Sequence, residues 1–130
     1  RGVVSLVRPD RVIAVDALSA REAARLCRAV QVTDAGIVPG SGVGNARSAL
    51  TEETLGVPVV AVGVPTVVDA RTLCADLSGA EIDLPEDTEL FVTPRDIDSR
   101  VRDSARLVGY AIDLALHDAL TIEDIDMFLA

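Results

Sequence analysis

Two runs of branched apolar residues constrain the fold of this chain most strongly. One run is Val12–Val15, and the other, Val57–Val64, is the most apolar stretch of the sequence. Aromatic residues make up only 2% of the chain, so a core must be built from Val, Leu, Ile and Ala. That composition is typical of the buried strands of a parallel sheet. Both runs are therefore predicted to be buried strands, with Val57–Val64 at the centre of the sheet.

Helical patterns alternate with the strands. Capping residues followed by apolar periodicity predict helices. The predicted helices begin near Ser19, Thr51, Thr66 and Thr93, with the third running to about Leu77 and the last to His117. Short extended segments are expected at Val30–Thr33 and Leu90–Val92, and a helical tail at 121–130.

This alternation predicts an α/β fold with a mostly parallel sheet and helices on both faces. Three long strands are few for an independent doubly wound domain. The sequence also begins at Arg1 without a Met. We therefore expect residues 1–130 to be a portion of a single larger α/β domain.

Charge and spacing exclude several functional classes. The formal net charge is −9 and no Lys is present, so the acidic chain is not expected to bind nucleic acid directly. No apolar run has the length of a membrane span. No cluster has zinc-like spacing, so neither a metal nor a cofactor is predicted. Cys27 and Cys74 are interpreted as reduced core residues and His117 as a surface residue.

A carboxylate, Asp16, directly follows the first apolar run and precedes a helix-type segment. Open α/β sheets place their chemistry at the carboxyl ends of parallel strands. Two carboxyl groups that share a site cannot both ionise easily, so one keeps its proton and the other acts as a base toward water. Such a pair would hydrolyse an amide without a metal or a nucleophilic side chain. The residues alone equally allow Asp16 to cap the following helix.

Two further segments carry candidate residues. The first is the glycine-rich stretch Gly40–Asn45, which has neither the Lys of a phosphate-binding loop nor a strand directly before it. A substrate-binding or structural loop is the favoured interpretation. The second is the turn predicted after the central strand, which would place Thr66 and Asp69 at the same rim as Asp16. Capping of the next helix is the alternative role for both residues.

Taken in order along the chain, several segments resemble the spore germination protease family. The segments are Val12–Leu18 with Arg21, Gln31–Ile37, Pro39–Asn45, Glu53–Val59 and Gly63–Ala70, with Phe91–Pro94 and Ala115–His117 similar to the C-terminal region of the family. The resemblance matches Asp16 to the second catalytic aspartate of the family. The first belongs to an upstream segment that this chain does not contain. Val38 stands where the family usually has His, and 78–89 is shorter than the corresponding family segment.

The resemblance implies an endopeptidase that starts the degradation of small acid-soluble spore proteins at germination, in the cytoplasm of the forespore or spore core. It implies an aspartic mechanism, a zymogen, a homo-oligomer and a fold similar to the hydrogenase-maturation peptidases. Further residues are predicted to form a substrate-binding or supporting shell around Asp16. These are Asp34, Ser41, Gly42, Asn45, Thr66 and Asp69.

Two other functions stay open on the sequence. The chain could be a truncated or inactive family member that acts as a structural or binding module. It could also hold an anionic ligand in the Gly40–Gly44 loop. By itself, the 130-residue chain is expected to be inactive, because half of the carboxylate pair is missing. Its apolar N-terminal segment, Arg1–Arg8, is expected to promote aggregation.

Overall fold

The structure, a computed structural model, describes residues 2–44, 47–80, 83, 85 and 89–129. It divides into two compact units, Arg1–Arg95 and Asp96–Ala130. The helices are α1 (Gly2–Val7), α2 (Glu52–Leu55), α3 (Ala70–Ser78), α4 (Ile97–Leu116) and α5 (Ile122–Leu129). The strands are β1 (Val12–Ala20), β2 (Gln31–Thr33), β3 (Val59–Asp69) and β4 (Phe91–Val92), and short 3₁₀ turns span Ala23–Arg25 and Ser41–Val43.

Strand β3 is the centre of the sheet, as the apolar run predicted. β1 pairs with it in parallel, from Val12 opposite Val59 to Ala20 opposite Val68. β2 pairs with β3 antiparallel, and β4 pairs antiparallel with its end. The α/β class is thus confirmed, but the described sheet is mixed rather than mostly parallel. The sequence pattern misled because a short strand can return to β3 in either direction.

β1 is longer than predicted and replaces the helix expected after Ser19. The strand runs over nine residues to Ala20, so Asp16 lies within it and not at its carboxyl end. Beyond it, only a 3₁₀ turn forms at Ala23–Arg25, and Glu22 makes no side-chain capping bond there. The Ser19–Glu22 capping pattern is overridden because Ser19 is paired with Val67 in the sheet.

β3 likewise extends past its predicted end. Thr66 was expected to cap a helix, but the strand continues to Asp69, which precedes α3. A register shift in the β1–β3 ladder leaves Thr66 opposite no β1 residue, since Leu18 pairs with Pro65 and Ser19 with Val67. The Thr66 carbonyl accepts a hydrogen bond from Thr93 Oγ1 at 2.9 Å. Thr66 therefore belongs to the sheet and not to a helix start.

Local signals were reliable where the chain forms its own cap. Thr51 caps α2 and forms a capping box with Thr54, and Gly56 ends the helix in the left-handed region with φ 76°. The short strand at Gln31–Thr33, the extended residues at Phe91–Val92 and the helical tail are also confirmed. The predicted connection at 78–89 lies partly outside the described residues.

The core of the first unit is made of small and branched apolar side chains along β3. Val59 is 2% exposed and Val68 is fully buried, with Ala14 and Ala20 of β1 beside them. Cys27 and Cys74 are both half-buried rather than fully in the core. Burial of these side chains holds β1 against β3 and thereby fixes the position of Asp16.

The second unit is held by contacts between α4 and α5. Arg106 donates to Asp126 Oδ1 at 3.3 Å and to the hydroxyl of Tyr110, which itself donates to Asp126. The side-chain hydrogen bond from Arg100 lowers the pKa of Asp96, and hydrogen bonds from Thr121 lower the pKa of Asp124.

His117 follows α4 and is exposed, as predicted. None of the described helices combines the length and apolarity needed to cross a membrane.

Candidate functional site

Asp16 lies half-buried in the middle of β1, and its carboxylate has few hydrogen-bond partners. Its Oδ1 accepts a hydrogen bond from the Ala17 N–H at 2.9 Å. Within the described ranges it forms no other hydrogen bond and no ion pair. An ionised carboxylate offers about four acceptor positions. Most of the hydrogen-bonding capacity of Asp16 is therefore available to a water molecule or to a second carboxyl group.

A row of paired residues crosses the sheet at the level of Asp16. Asp16 pairs with Gly63 of β3, and Gly63 pairs in turn with Gln31 of β2. Paired positions place their side chains on the same face, and neighbouring strands are about 4.8 Å apart. Asp16 and Gln31 thus flank a glycine on one face of the sheet, with their Cα atoms roughly 10 Å apart.

A cavity of about 290 Å³ opens on this face. The sheet supplies its floor through Leu18, Gln31, Thr33, Ala61 and Gly63. The segment after β2 supplies the opposite wall through Gly36, Ile37, Val38 and Ser41. Because Gly63 and Gln31 belong to the row of Asp16, the cavity lies one strand away from the carboxylate.

The glycine-rich segment is held over the sheet by close backbone packing. A Cβ on Gly42 would lie 2.9 Å from the Cβ of Ser19, so the loop backbone rests directly on β1. Gly36 has φ +79°, and a Cβ there would lie 2.3 Å from the Leu50 carbonyl oxygen. Ile37 and Leu50 exchange backbone hydrogen bonds of 3.0 and 2.8 Å beside it. Gly36 and Gly42 therefore allow the loop backbone to pack closely against its neighbours. This close packing positions the wall of the cavity.

The structure brings part of the predicted shell to the cavity. Ser41 lines it and Gly42 follows directly. Asp34 is exposed immediately after Thr33, a lining residue, and is not itself in the lining. Asn45 lies outside the described residues. Among the described residues of the predicted shell, Ser41 thus lines the cavity, and it forms no hydrogen bond or ion pair with Asp16.

Thr66 and Asp69 lie away from the row of Asp16. Asp69 is six positions beyond Gly63 along β3, and a strand rises about 3.3 Å per residue, so their Cα atoms are roughly 20 Å apart. Asp69 Oδ1 accepts hydrogen bonds from the N–H groups of Arg71 at 2.8 Å and Thr72 at 3.4 Å. Its carboxylate is the N-cap of α3, which is the structural role that the sequence also allowed.

The capping role of Asp69 leads to a stability prediction. Asp69→Ala is expected to lower the free energy of unfolding by about 0.5–2 kcal/mol, because two N–H groups of α3 lose their acceptor. Asp69→Asn keeps an acceptor oxygen and should lose only a few tenths. Urea denaturation of both variants measures the difference. Equal destabilisation by Ala and Asn would show that the cap is not the source of the effect.

Sequence reasoning missed the sheet side of the cavity, namely Leu18, Gln31, Thr33 and Ala61. One signal was present: Gln31 and Thr33 alternate with Val32, so they share a face of β2. What the sequence lacked was the antiparallel register that sets this face beside Gly63. The contribution of Leu18 could not be predicted for the same reason, because its side chain lies over Gly63, a residue of the neighbouring strand that is distant in sequence.

Fold and site together define a class: an α/β unit with a half-buried, weakly held carboxylate beside an uncharged cavity. No group of three or more His, Cys, Asp or Glu in the described part is arranged to hold a metal ion. The germination protease family model matches residues 1–83, which span β1, β2, β3 and the segment over the cavity. The chain therefore belongs to the germination protease family, as the sequence resemblance predicted.

Curated relatives agree with this assignment. The chain is 35% identical to the germination protease of Clostridium tetani and 37% identical to that of Caldanaerobacter subterraneus subsp. tengcongensis, with 99% of this chain covered in each case. It is 57% identical over 76 residues to the Bacillus subtilis germination protease, covering 58% of this chain and 21% of that protein. The chain spans about half the length of the first two relatives.

Proposed function

We propose that this chain is the C-terminal portion of a germination-protease-type endopeptidase, in which Asp16 is one of two carboxylates that activate water. The observation that carries the proposal is the position of Asp16. It is a half-buried carboxylate with one local hydrogen bond, on the face of the sheet that bears the cavity. It also lies inside the region matched by the family model.

The chemistry follows from two carboxyl groups sharing one proton. The ionised group takes a proton from water as the water oxygen attacks the carbonyl carbon of the peptide bond. The protonated group donates its proton to the departing amide nitrogen, so the proton count balances. The partner carboxylate of Asp16 would belong to a segment upstream of this chain. The open acceptor positions of Asp16 support the proposal, because such a pair needs room for a proton and a water between its members.

The family resemblance extends the proposal to substrate and assembly. The substrates would be small acid-soluble spore proteins in the forespore or spore core, and the enzyme would be a zymogen and a homo-oligomer. The complete domain would have a fold similar to the hydrogenase-maturation peptidases. Exposed apolar residues of α1, Val3 at 73% and Leu6 at 85%, support further packing partners. Ser41 and Gly42 would act as the supporting shell on the loop side, with Asp34 beside it. Asn45, which lies outside the described residues, is proposed as a further member of this shell.

The proposal is tested by incubating the full-length parent protein with a small acid-soluble spore protein and reading the fragments by mass spectrometry. We expect discrete cleavage by the wild-type protein and none by the 130-residue chain alone, because the chain holds one carboxylate of the pair. The full-length protein is tested with its N-terminal segment both present and removed. Absence of cleavage in both forms, from folded protein, would favour an inactive family member instead.

A further inference from the structure

The backbone of β1 presents hydrogen-bonding groups at two edges, and successive N–H groups of a strand point to opposite edges. The Val12 N–H donates to the Pro58 carbonyl at 2.9 Å, and the register with β3 continues without a shift as far as Leu18. Even-numbered residues of β1 therefore direct their N–H groups to β3. Odd-numbered residues direct theirs to the opposite side, which we call the outer edge of β1. The N–H groups of the outer edge belong to Ile13, Val15 and Ala17.

The outer edge has no strand partner among the described residues. β1 is nine residues long, lies at the end of the sheet and pairs with β3 alone. Its outward-facing residues are Ile13, Val15 and Ala17, none of which is one of the charged residues or prolines that protect a free sheet edge. Val15 is 57% exposed. A long apolar edge of this kind readily pairs with a further strand.

The side chain of Asp16 occupies one hydrogen-bonding position of this edge. Its Oδ1 accepts the outward-facing N–H of Ala17 at 2.9 Å. In a sheet that continued beyond β1, the acceptor of this N–H would be a backbone carbonyl of the neighbouring strand. The carboxylate of Asp16 and a docked strand thus compete for the same donor. A strand that pairs here removes the hydrogen bond described for Asp16.

We propose that the outer edge of β1 binds a strand of the polypeptide upstream of Arg1, and that this strand takes over the Ala17 N–H and releases the Asp16 carboxylate; this inference rests on the proposed function. The occupant is argued from length and attachment. The chain spans about half the length of its relatives, so a comparable length of polypeptide lies outside it. That polypeptide is joined to β1 through α1, which gives it a high effective concentration at the edge that a second copy lacks.

Pairing at the outer edge has a consequence for the chemistry. Neighbouring strands lie about 4.8 Å apart, and directly opposed residues place their side chains on the same face. A carboxylate of the docked strand opposite Asp16 would therefore be close enough to share a proton with it. Docking both frees Asp16 from Ala17 and brings side chains of the upstream polypeptide next to it.

The test is residue-resolved amide hydrogen exchange of the full-length protein, measured by NMR. We expect the outward-facing amides of Val15 and Ala17 to be protected to within about tenfold of the inward-facing amides of Ala14 and Asp16. An unpaired outer edge would instead give an alternating pattern, with the outward-facing amides exchanging at least about 10²-fold faster. That alternation would overturn the proposal.

Asp16→Ala separates the two acceptors of the Ala17 N–H. It removes the side-chain acceptor, whereas Asp16→Asn, the matched control, keeps an acceptor oxygen in the same place. With a docked strand, the Ala17 amide should be protected equally in both variants, because a backbone carbonyl accepts its hydrogen bond. Loss of protection at Ala17 in Asp16→Ala alone, with Val15 unchanged, would show that the carboxylate is still the acceptor and would overturn the release of Asp16.

The occupant is identified in the same protein by nuclear Overhauser contacts across the outer edge. We expect contacts from Val15 and Ala17 to residues upstream of Arg1 within one polypeptide. A sample that mixes two differently labelled forms of the full-length protein detects contacts between copies. Contacts at the outer edge that occur only between copies would assign the edge to a second copy and overturn the proposal.

Cleavage of a small acid-soluble spore protein, measured separately, distinguishes this inference from the proposed function. An unpaired outer edge in a protein whose cleavage depends on Asp16 would overturn the docked strand and leave the protease intact. A paired outer edge in a protein that cleaves equally well as wild type and as Asp16→Asn would overturn the proposed function. The pairing would then stand, and the release of Asp16 would have no catalytic meaning.

Discussion

Asp16→Asn in the full-length protein is expected to lower kcat by about 10²–10⁴-fold, the contribution typical of a positioned acid or base. The amide of Asn neither takes a proton from water nor carries one to the leaving nitrogen at neutral pH. KM should change much less, because the cavity and the loop around it are untouched. Initial rates over a range of substrate concentrations separate kcat from KM.

The substitution is suited to this purpose because Asp16 has a minor structural role. Its hydrogen bond is accepted from the neighbouring Ala17 N–H, and the side-chain carbonyl oxygen of Asn accepts the same bond. The melting temperature should therefore remain within a few degrees of wild type. A loss of activity in a protein of unchanged stability is a chemical effect and not a consequence of unfolding.

Asp10→Asn is the matched control for the loss of charge. Asp10 lies in the same unit, just before β1, and is exposed, with no ion pair to any described residue. It should retain the kcat of wild type. Retention of more than about a tenth of wild-type kcat by Asp16→Asn would remove Asp16 from the chemistry, since general acid–base groups contribute at least about 10²-fold.

The parts of the fold that the sequence predicted are those decided locally. Thr51 begins α2 and Gly56 ends it through hydrogen bonds between residues close in sequence. The apolar run after Val57 predicts β3 by composition alone. The wrong boundaries share a different cause. Ala17–Ala20 and Val64–Val68 are strand because they pair with each other across a long separation in sequence. Local sequence propensity cannot detect such pairing. The pairing of β1 with β3 overrode the capping pattern of Ser19 and Glu22.

The candidate site shows the same division. Asp16 became a candidate because it directly follows an apolar run, at what the sequence predicts to be the carboxyl end of a strand, whereas β1 continues to Ala20. Gln31 was not, because its place beside Gly63 depends on the antiparallel return of β2. Thr66 and Asp69 were predicted at the rim because β3 was expected to end early. In the structure β3 continues to Asp69. The carboxylate of Asp69 therefore lies far from Asp16 and caps α3.

Gly36→Ala is expected to destabilise the protein by about 3–5 kcal/mol. Two costs combine at this position. A non-glycine residue with φ near +79° costs about 1–2 kcal/mol. The new Cβ would also lie 2.3 Å from the Leu50 carbonyl oxygen and 2.9 Å from Thr51 Cα, which are backbone atoms that cannot rotate away. Relief requires breaking the hydrogen bonds between Ile37 and Leu50, each contributing about 0.5–1.5 kcal/mol.

Gly56→Ala isolates the first of these costs. Gly56 has a nearly equal φ of +76°, and a Cβ there meets nothing within 4 Å. It should therefore lose only about 1–2 kcal/mol in the same urea denaturation experiment. The difference between the two variants measures the clash of the new Cβ with Leu50 and Thr51, and equal losses would contradict the close packing. Because Gly36 and Ile37 line the cavity, Gly36→Ala should also weaken peptide cleavage under conditions where the protein is still folded, whereas Gly56→Ala should not.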